Sequence, residues 1–220
     1  MAIISFPSVE NATEDGLLAF GGDLQLSSLL LAYKKGIFPW PISQEYPLAW
    51  FSPDPRGILR YKDLNVSSSL KKILKKNKFE VKFNHDFPSV ITGCKEAHQR
   101  NGHSTWITEE IILAYINLFF SKYAYSVETY LEGRLVGGIY GVRIGCLVTG
   151  ESMFHIESNA SKVALVHLME HLKQFKIDWI DTQTVTPFIK TMGGTTILRK
   201  EYLTMLKAAL RRKNPINLFH

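Results

Sequence analysis

From about residue 59 onward, apolar residues fall at helical or alternating spacing, and the switches between the two mark the elements. Leu70, Ile73 and Leu74 share one face of a helix expected over 67–76, with serines at its start to cap it and lysines on the outside. A strand at 79–84 follows, then helices near 86–98 and 108–121. Runs at 125–131 and 135–142 flank Glu132-Gly133, the mark of a two-residue hairpin. Beyond it come a strand at about 145–149, a helix over 159–175 capped by Asn159 and a strand over 177–181. A short helix near 186–191, a strand over 194–198 and a helix near 200–212 complete the reading. Antiparallel strands followed by helix–strand crossovers imply an α+β domain with a mixed sheet flanked by helices.

Residues 1–58 read differently. They hold six of the nine prolines and a loop-rich run from Phe38 to Arg56. One helix is evident, about 27–35, with Ser27 as its cap and Gly36 as its stop. The expected division is a small N-terminal domain, 1–58, packed on a larger domain, 59–220. A chain of 220 residues has room for that much.

Composition excludes several classes. At 45% apolar and 21% charged, most of the chain is expected to fold. Cys94 and Cys146 make no disulfide framework and lack the paired spacing of a zinc site, so both are expected as buried apolar residues. Apolar stretches are interrupted well before the ~18 residues that a membrane span needs. The start, Met1-Ala-Ile-Ile-Ser-Phe-Pro, has no basic region before its short apolar run, a poor signal peptide. The expectation is a cytoplasmic protein with reduced thiols and no membrane partner.

Charge changes the picture. The net is +6, but residues 60–82 carry +6 and residues 199–213 carry +5, leaving −5 on the rest. Two basic clusters on an otherwise acidic chain are the footprint of a polyanionic partner. Lys71, Lys72, Lys75 and Lys76 in the first and Arg211 and Arg212 in the second are the candidate RNA contacts.

Common catalytic and phosphate-binding motifs are incomplete or missing in the sequence. His167-Leu-Met-Glu170-His171 has the spacing of a zinc helix, but no third ligand is evident, and no metal is expected. Gly150-Glu-Ser152-Met-Phe154 begins like a nucleophile elbow and then places Phe where the closing Gly is required. None of the fifteen glycines lies two residues from another, and no G-x-x-x-x-G-K loop occurs, which removes the usual phosphate cradles.

What remains is large aromatics on stiff loops and polar groups at strand ends. The strings in order are Gly16-Leu-Leu-Ala-Phe-Gly-Gly-Asp23, Gly36-Ile-Phe-Pro-Trp40, Trp50-Phe-Ser-Pro-Asp-Pro-Arg56, Thr105-Trp-Ile-Thr108, Ser126-Val-Glu128, Leu135-Val-Gly-Gly-Ile-Tyr-Gly-Val142, Gly150-Glu-Ser-Met-Phe154, Asn159-Ala-Ser-Lys162 and Ile180-Asp-Thr-Gln183. In this order, from about residue 6 to residue 203, the chain resembles the bacterial leucyl/phenylalanyl-tRNA–protein transferases. The resemblance implies a small N-terminal domain and a GNAT-like acyltransferase domain; no cofactor is expected, and the chain is expected as a monomer. It implies transfer of Leu or Phe from Leu-tRNA or Phe-tRNA to acceptor proteins with N-terminal Lys or Arg, marking them for N-end-rule degradation.

The same resemblance assigns Trp40 and Trp106 to a clamp on the terminal adenosine of the tRNA. It lines an apolar side-chain pocket with Ile139, Met153, Leu168, Leu172 and Ile180, beside Gly150 and Ser152, and makes Glu151, Asp181 and Gln183 the polar reaction site. Thr182 stands where Cys is usual in the family, and Pro187 where His is common. The chemistry agrees: an aminoacyl ester is already activated, and an α-amine with a reference pKa near 7.7–8.0 is partly neutral at pH 7. Orientation alone supplies roughly 7–11 kcal/mol in favourable systems. Gln183 is expected to accept a hydrogen bond from the attacking amine, Asp181 to orient its amide, and Glu151 to hold the cationic acceptor. Two rivals remain at this point. An acetyl-CoA-dependent GNAT enzyme lacks its pyrophosphate loop, since Glu157-Ser-Asn-Ala-Ser-Lys162 contains no Gly, and a non-catalytic tRNA-binding module leaves Asp181 and Gln183 unexplained.

Overall fold

The computed structural model describes residues 2–42, 46–100, 105–213, 215 and 218–219. Met1 of the amino-terminal run and Ser43, Gln44 and Glu45 of the proline-rich run lie outside the described residues. In chain order the elements are β1 (Leu17–Phe20), α1 (Leu26–Lys34), β2 (Phe38–Pro39), β3 (Ala49–Phe51), β4 (Arg56–Arg60), α2 (Ser68–Lys75), β5 (Glu80–Phe83), α3 (Phe87–Arg100) and α4 (Glu109–Phe120). The rest are β6 (Ala124–Leu131), β7 (Arg134–Ile144), β8 (Leu147–Val148), β9 (Ser152–His155), α5 (Ala160–Gln174), β10 (Trp179–Gln183), α6 (Pro187–Thr191), β11 (Thr195–Ile197) and α7 (Arg199–Arg211).

The largest sheet runs β5-β6-β7-β8, with β9 also paired to β7. β6 and β7 are buried along nearly their whole length because helices cover both faces. A side chain at Gly137 of β7 would meet Ala160 of α5, and one at Gly138 would meet Val90 of α3, so the two helices pack on opposite sides. The hairpin falls where expected: Glu132 and Gly133 both have positive φ, 51° and 75°, as its tight two-residue turn requires. Ser67 caps α2 by accepting from the Leu70 amide.

Local expectations need three corrections. Ser27 lies inside α1, whose N-cap position is Gln25; Asp23 accepts from the Gln25 amide and the Ser28 hydroxyl instead. Asn159 occupies the N-cap of α5 in a left-handed conformation (φ 70°) and makes no capping bond. The strand expected at 145–149 is only the two-residue β8.

Two smaller three-stranded sheets complete the fold. β1-β3-β2 forms one within the first 51 residues, and β10-β4-β11 forms the other. The expected division at residue 58 falls inside β4, the central strand of the latter. All pairings of named strands are antiparallel, and the parallel element that mixes the fold is a single bridge, Thr149 to Asp181. Next to that bridge Gly150 N–H donates to Asp181 O at 2.8 Å, and one residue later Glu151 N–H donates to Tyr140 O of β7 at 3.0 Å. The chain thus crosses from β10 to β7 within two residues. β9 pairs with β7 and β10 with β4, and residues of both β9 and β10 line one cavity.

Candidate active site

The cavity has a volume of about 530 Å³. Its apolar wall comes from four elements: Ile139 of β7, Met153 of β9, Leu165 of α5 and Ile180 of β10, with Phe188 and Ile189 of α6 at one side. Its polar lining includes Glu151 and Gln183, with His98, Ser152 and Thr182 beside them. Trp40 and Trp106 stand at another side, ring centroids 6.0 Å apart and planes at 37°. Trp40 is anchored by its backbone N–H to Ala49 O (2.9 Å), and its ring rests on Phe38 and Phe51. Trp106 is followed by Ile107, fully buried, and by Thr108, which caps α4.

Gln183 ends β10 in a tight turn. Its φ is +62°, and Thr184 N–H donates back to Thr182 O at 2.6 Å, so Gln183 is the middle of a three-residue turn. Such backbone costs energy and persists only where its surroundings hold it. Two features hold it here. Asp181 Oδ1 accepts the Gln183 N–H at 2.9 Å. Gly57 lies opposite, where a Cβ would come within 2.5 Å of the Thr184 carbonyl carbon, so only glycine admits the turn.

The Gln183 side chain has a different partner. Its Nε2 donates to Glu151 Oε2 at 2.9 Å. Glu151 Oε1 accepts from Thr149 Oγ1 at 2.6 Å, and Oε2 also takes a longer bond (3.4 Å) from Tyr115 OH, which meets Tyr33 OH. Burial pushes both tyrosine hydroxyls far above their ordinary range, so they stay protonated donors. With the carboxylate taking its NH₂ group, the Gln183 amide keeps its carbonyl oxygen for another partner.

Asp181 lies behind this layer, fully buried. Oδ1 takes Arg56 Nε at 2.9 Å, while Oδ2 takes Arg56 Nη2 and Tyr202 OH, each at 2.7 Å. The guanidinium lies over the Phe38 and Tyr202 rings and donates through Nη1 to Gly36 O. Burial works against the Arg56 charge, but Asp181 overrides it and raises its pKa further. The expectation that Asp181 orients the Gln183 amide is therefore corrected: Asp181 holds the backbone of Gln183, and Glu151 holds its amide.

A family model described as Leucyl/phenylalanyl-tRNA protein transferase matches residues 58–207, and one for that family's N-terminal domain matches residues 22–54. A protein named leucyl/phenylalanyl-tRNA–protein transferase from Syntrophobacter fumaroxidans is 46% identical over 201 residues, 91% of this chain and 86% of its own. The chain belongs to the leucyl/phenylalanyl-tRNA–protein transferase family. Another relative of that name, from Lawsonia intracellularis, is 44% identical over 205 residues, 93% of this chain and 90% of its own. Among solved structures, an N-acetyltransferase from Thermoplasma acidophilum with coenzyme A covers 44% of this chain at 15% identity and a TM-score of 0.35, too loose an overlay to transfer a site.

Nine of the residues expected at the site of this transferase line the one cavity: Trp40, Trp106, Ile139, Gly150, Glu151, Ser152, Met153, Ile180 and Gln183. Leu168 and Leu172 do not; both are fully buried in the core. Ser161 and Leu165 are the α5 residues at the wall. All four lie on one helical stripe, but at 1.5 Å per residue Leu172 is about 10 Å past Leu165 along the axis. Thr182 faces the cavity, and Pro187 sits in the first turn of α6, where Thr186 caps. The lysines at 71, 72 and 75 are exposed on α2, and Lys76, also exposed, is its C-cap. In the second basic stretch, Arg212 donates to Lys176 O and Phe175 O beyond α5, and Arg199 is buried against Ser52 O, so both have structural partners. Arg211 is exposed. Among the described residues no group of three metal-ligating side chains comes together, and no helix is long and apolar enough to cross a membrane.

Residues that the motifs did not single out are Arg56, Tyr202, Thr149, Tyr115 and Leu165. Arg56 closes the run that begins at Trp50, and its role follows from contact with a residue 125 positions away.

Burial also raises the Glu151 carboxyl above the usual carboxylate range. A proton held more tightly in the folded than in the unfolded state makes ionisation a cost. This contribution is fully favourable below the ordinary carboxylate pKa and is lost as pH rises through the raised value. Glu151→Gln removes it. Thermal melts of variant and parent should therefore separate in the variant's favour on going from about pH 5 to about pH 8. A gap that stays flat, or closes, would mean that the pocket favours the charged carboxylate.

Proposed function

We propose that this transferase moves Leu or Phe, and less selectively Met, from aminoacyl-tRNA to the α-amino group of proteins beginning with Lys or Arg, marking them for N-end-rule degradation. The observation that carries this reading is one cavity holding an indole pair, an apolar wall and the Glu151–Gln183 pair together. The indoles stack on the terminal adenosine. The aminoacyl side chain enters among Ile139, Met153, Leu165 and Ile180, which exclude charge but separate Leu, Met and Phe by only ~1–3 kcal/mol per methylene.

The acceptor amine attacks the ester carbonyl. A C–N bond forms, the C–O bond to the ribose breaks, and one amine proton passes to the departing oxygen. Gln183 Oε1 accepts a hydrogen bond from the amine and aims its lone pair; an amide is too weak a base to keep the proton. Glu151 holds the amide and offers its charge to the cationic acceptor. No cofactor is required, because the ester brings the activation.

Labelled Leu-tRNA and an Arg-initiated peptide test the reading. Transfer to that peptide, and none to one beginning with Glu, is expected; acetyl transfer from acetyl-CoA instead would support the rival acetyltransferase. In the same assay, replacing Lys71, Lys72, Lys75 and Lys76 with Ala should flatten the log–log dependence of tRNA affinity on salt by about 3, at roughly 0.7–0.9 per phosphate contact. An unchanged slope would make α2 a solubilising face only.

A further inference from the structure

His98 lies on the cavity wall and takes no part in the transfer step described above. Its two ring nitrogens face different elements. Nδ1 is 3.2 Å from Thr105 Oγ1, and Nε2 is 3.5 Å from Ser152 Oγ. Thr105 directly precedes Trp106, and its hydroxyl accepts the Ile107 N–H at 3.1 Å. Ser152 opens β9, next to Glu151. The imidazole therefore joins three parts of the site: its own helix α3, the segment carrying one indole, and the strand beside the carboxylate.

We propose that His98 is a positioning residue, a strut that sets Trp106 against the reaction strand so that a stacked adenosine presents its ester at Gln183. The proposal rests on the reading that Trp106 stacks on the terminal adenosine. Its physical basis is the asymmetry of the anchors around Trp106. On the carboxyl side, buried Ile107 and the Thr108 cap fix the chain. On the amino side, among the described residues, Thr105 is tied to His98, seven positions earlier. With that tie cut, the partly buried indole is held less firmly against the reaction strand.

Four variants of the full chain test this: His98→Ala, His98→Asn, His98→Gln and Trp106→Ala. Leu-tRNA is titrated at fixed acceptor peptide, with far-ultraviolet circular dichroism to confirm folding. His98→Ala should raise KM for Leu-tRNA by about 5- to 10-fold, as for one lost side-chain hydrogen bond, with kcat within about twofold. It should also shift tryptophan emission, and the shift should vanish in a Trp106→Ala background. The Asn amide occupies the Nδ1 position and should restore both KM and emission; the Gln amide reaches the Nε2 position and should not. An unchanged KM and emission in His98→Ala, or failure of Asn to restore them, overturns the strut. If Trp106→Ala itself leaves KM for Leu-tRNA unchanged, the stacking reading fails separately, and the emission shift alone then supports or overturns the positioning role.

Discussion

Gln183→Ala is expected to lower kcat for transfer by about 10²–10³, the range seen when one preorganised polar contact to a reacting centre is removed, with KM for Leu-tRNA nearly unchanged. The split follows from placement. The adenosine and the side chain are held by Trp40, Trp106 and the apolar wall, none of which touches the amide's role. What is lost is the acceptor that aims the amine. Because Gln183 sits at φ +62°, an Ala there also carries backbone strain, so Gln183→Gly is the control. Gly relaxes the backbone and still lacks the amide; it should be as slow as Ala. If Gly restored the rate, the turn rather than the carbonyl oxygen would be the catalytic requirement. Rates near the parent's in both would remove the mechanism.

Much of the frame was legible in the sequence, and the places where it was not have physical causes. Helices α2 to α5 and the β6–β7 hairpin carry strong periodicity and a turn pair at Glu132-Gly133, and they stand where the pattern put them. β1, β2 and β3 are two to four residues long inside a proline-rich stretch, too short for any period to register. β4 is defined by partners at Trp179–Gln183 and Thr195–Ile197, which no local pattern reveals. The resemblance put part of the side-chain pocket on α5 at Leu168 and Leu172, but depth along a helix depends on how it packs, and Ser161 and Leu165 line the cavity instead. Asp181 and Gln183 illustrate a third cause. Two residues apart on a regular strand they would share a face. The positive φ at Gln183 breaks that alternation, and each side chain finds a partner from elsewhere: Arg56 for one, Glu151 for the other.

Breaking the Arg56–Asp181 pair should have the largest effect on stability. Both side chains are only 1% exposed, and the bond is bidentate, 2.9 and 2.7 Å. Arg56→Met leaves the Asp181 carboxylate buried with only Tyr202 OH and the Gln183 amide to answer its charge. A buried charge stripped of its partner costs about 3–5 kcal/mol, out of a total folding stability of roughly 5–15. For a chain of this size that corresponds to a fall in Tm of about 6–20 °C. Arg56→Lys keeps the charge but not the fork, and should fall between parent and Met. Asp181→Asn disturbs the pair from the other end, setting an NH₂ against the guanidinium while still offering one oxygen to the Gln183 amide. The double variant Arg56→Met/Asp181→Asn should therefore be far less destabilised than the sum of the two singles, since the pair can be lost only once. A Tm within about 2 °C of the parent in Arg56→Met would mean that the carboxylate is satisfied without the guanidinium. The same pair reaches the chemistry through the Gln183 backbone. Arg56→Met should thus lose transfer activity even at temperatures where it remains folded, because a turn centred on a residue at φ +62° keeps its shape only while Asp181 is held in place to accept that amide.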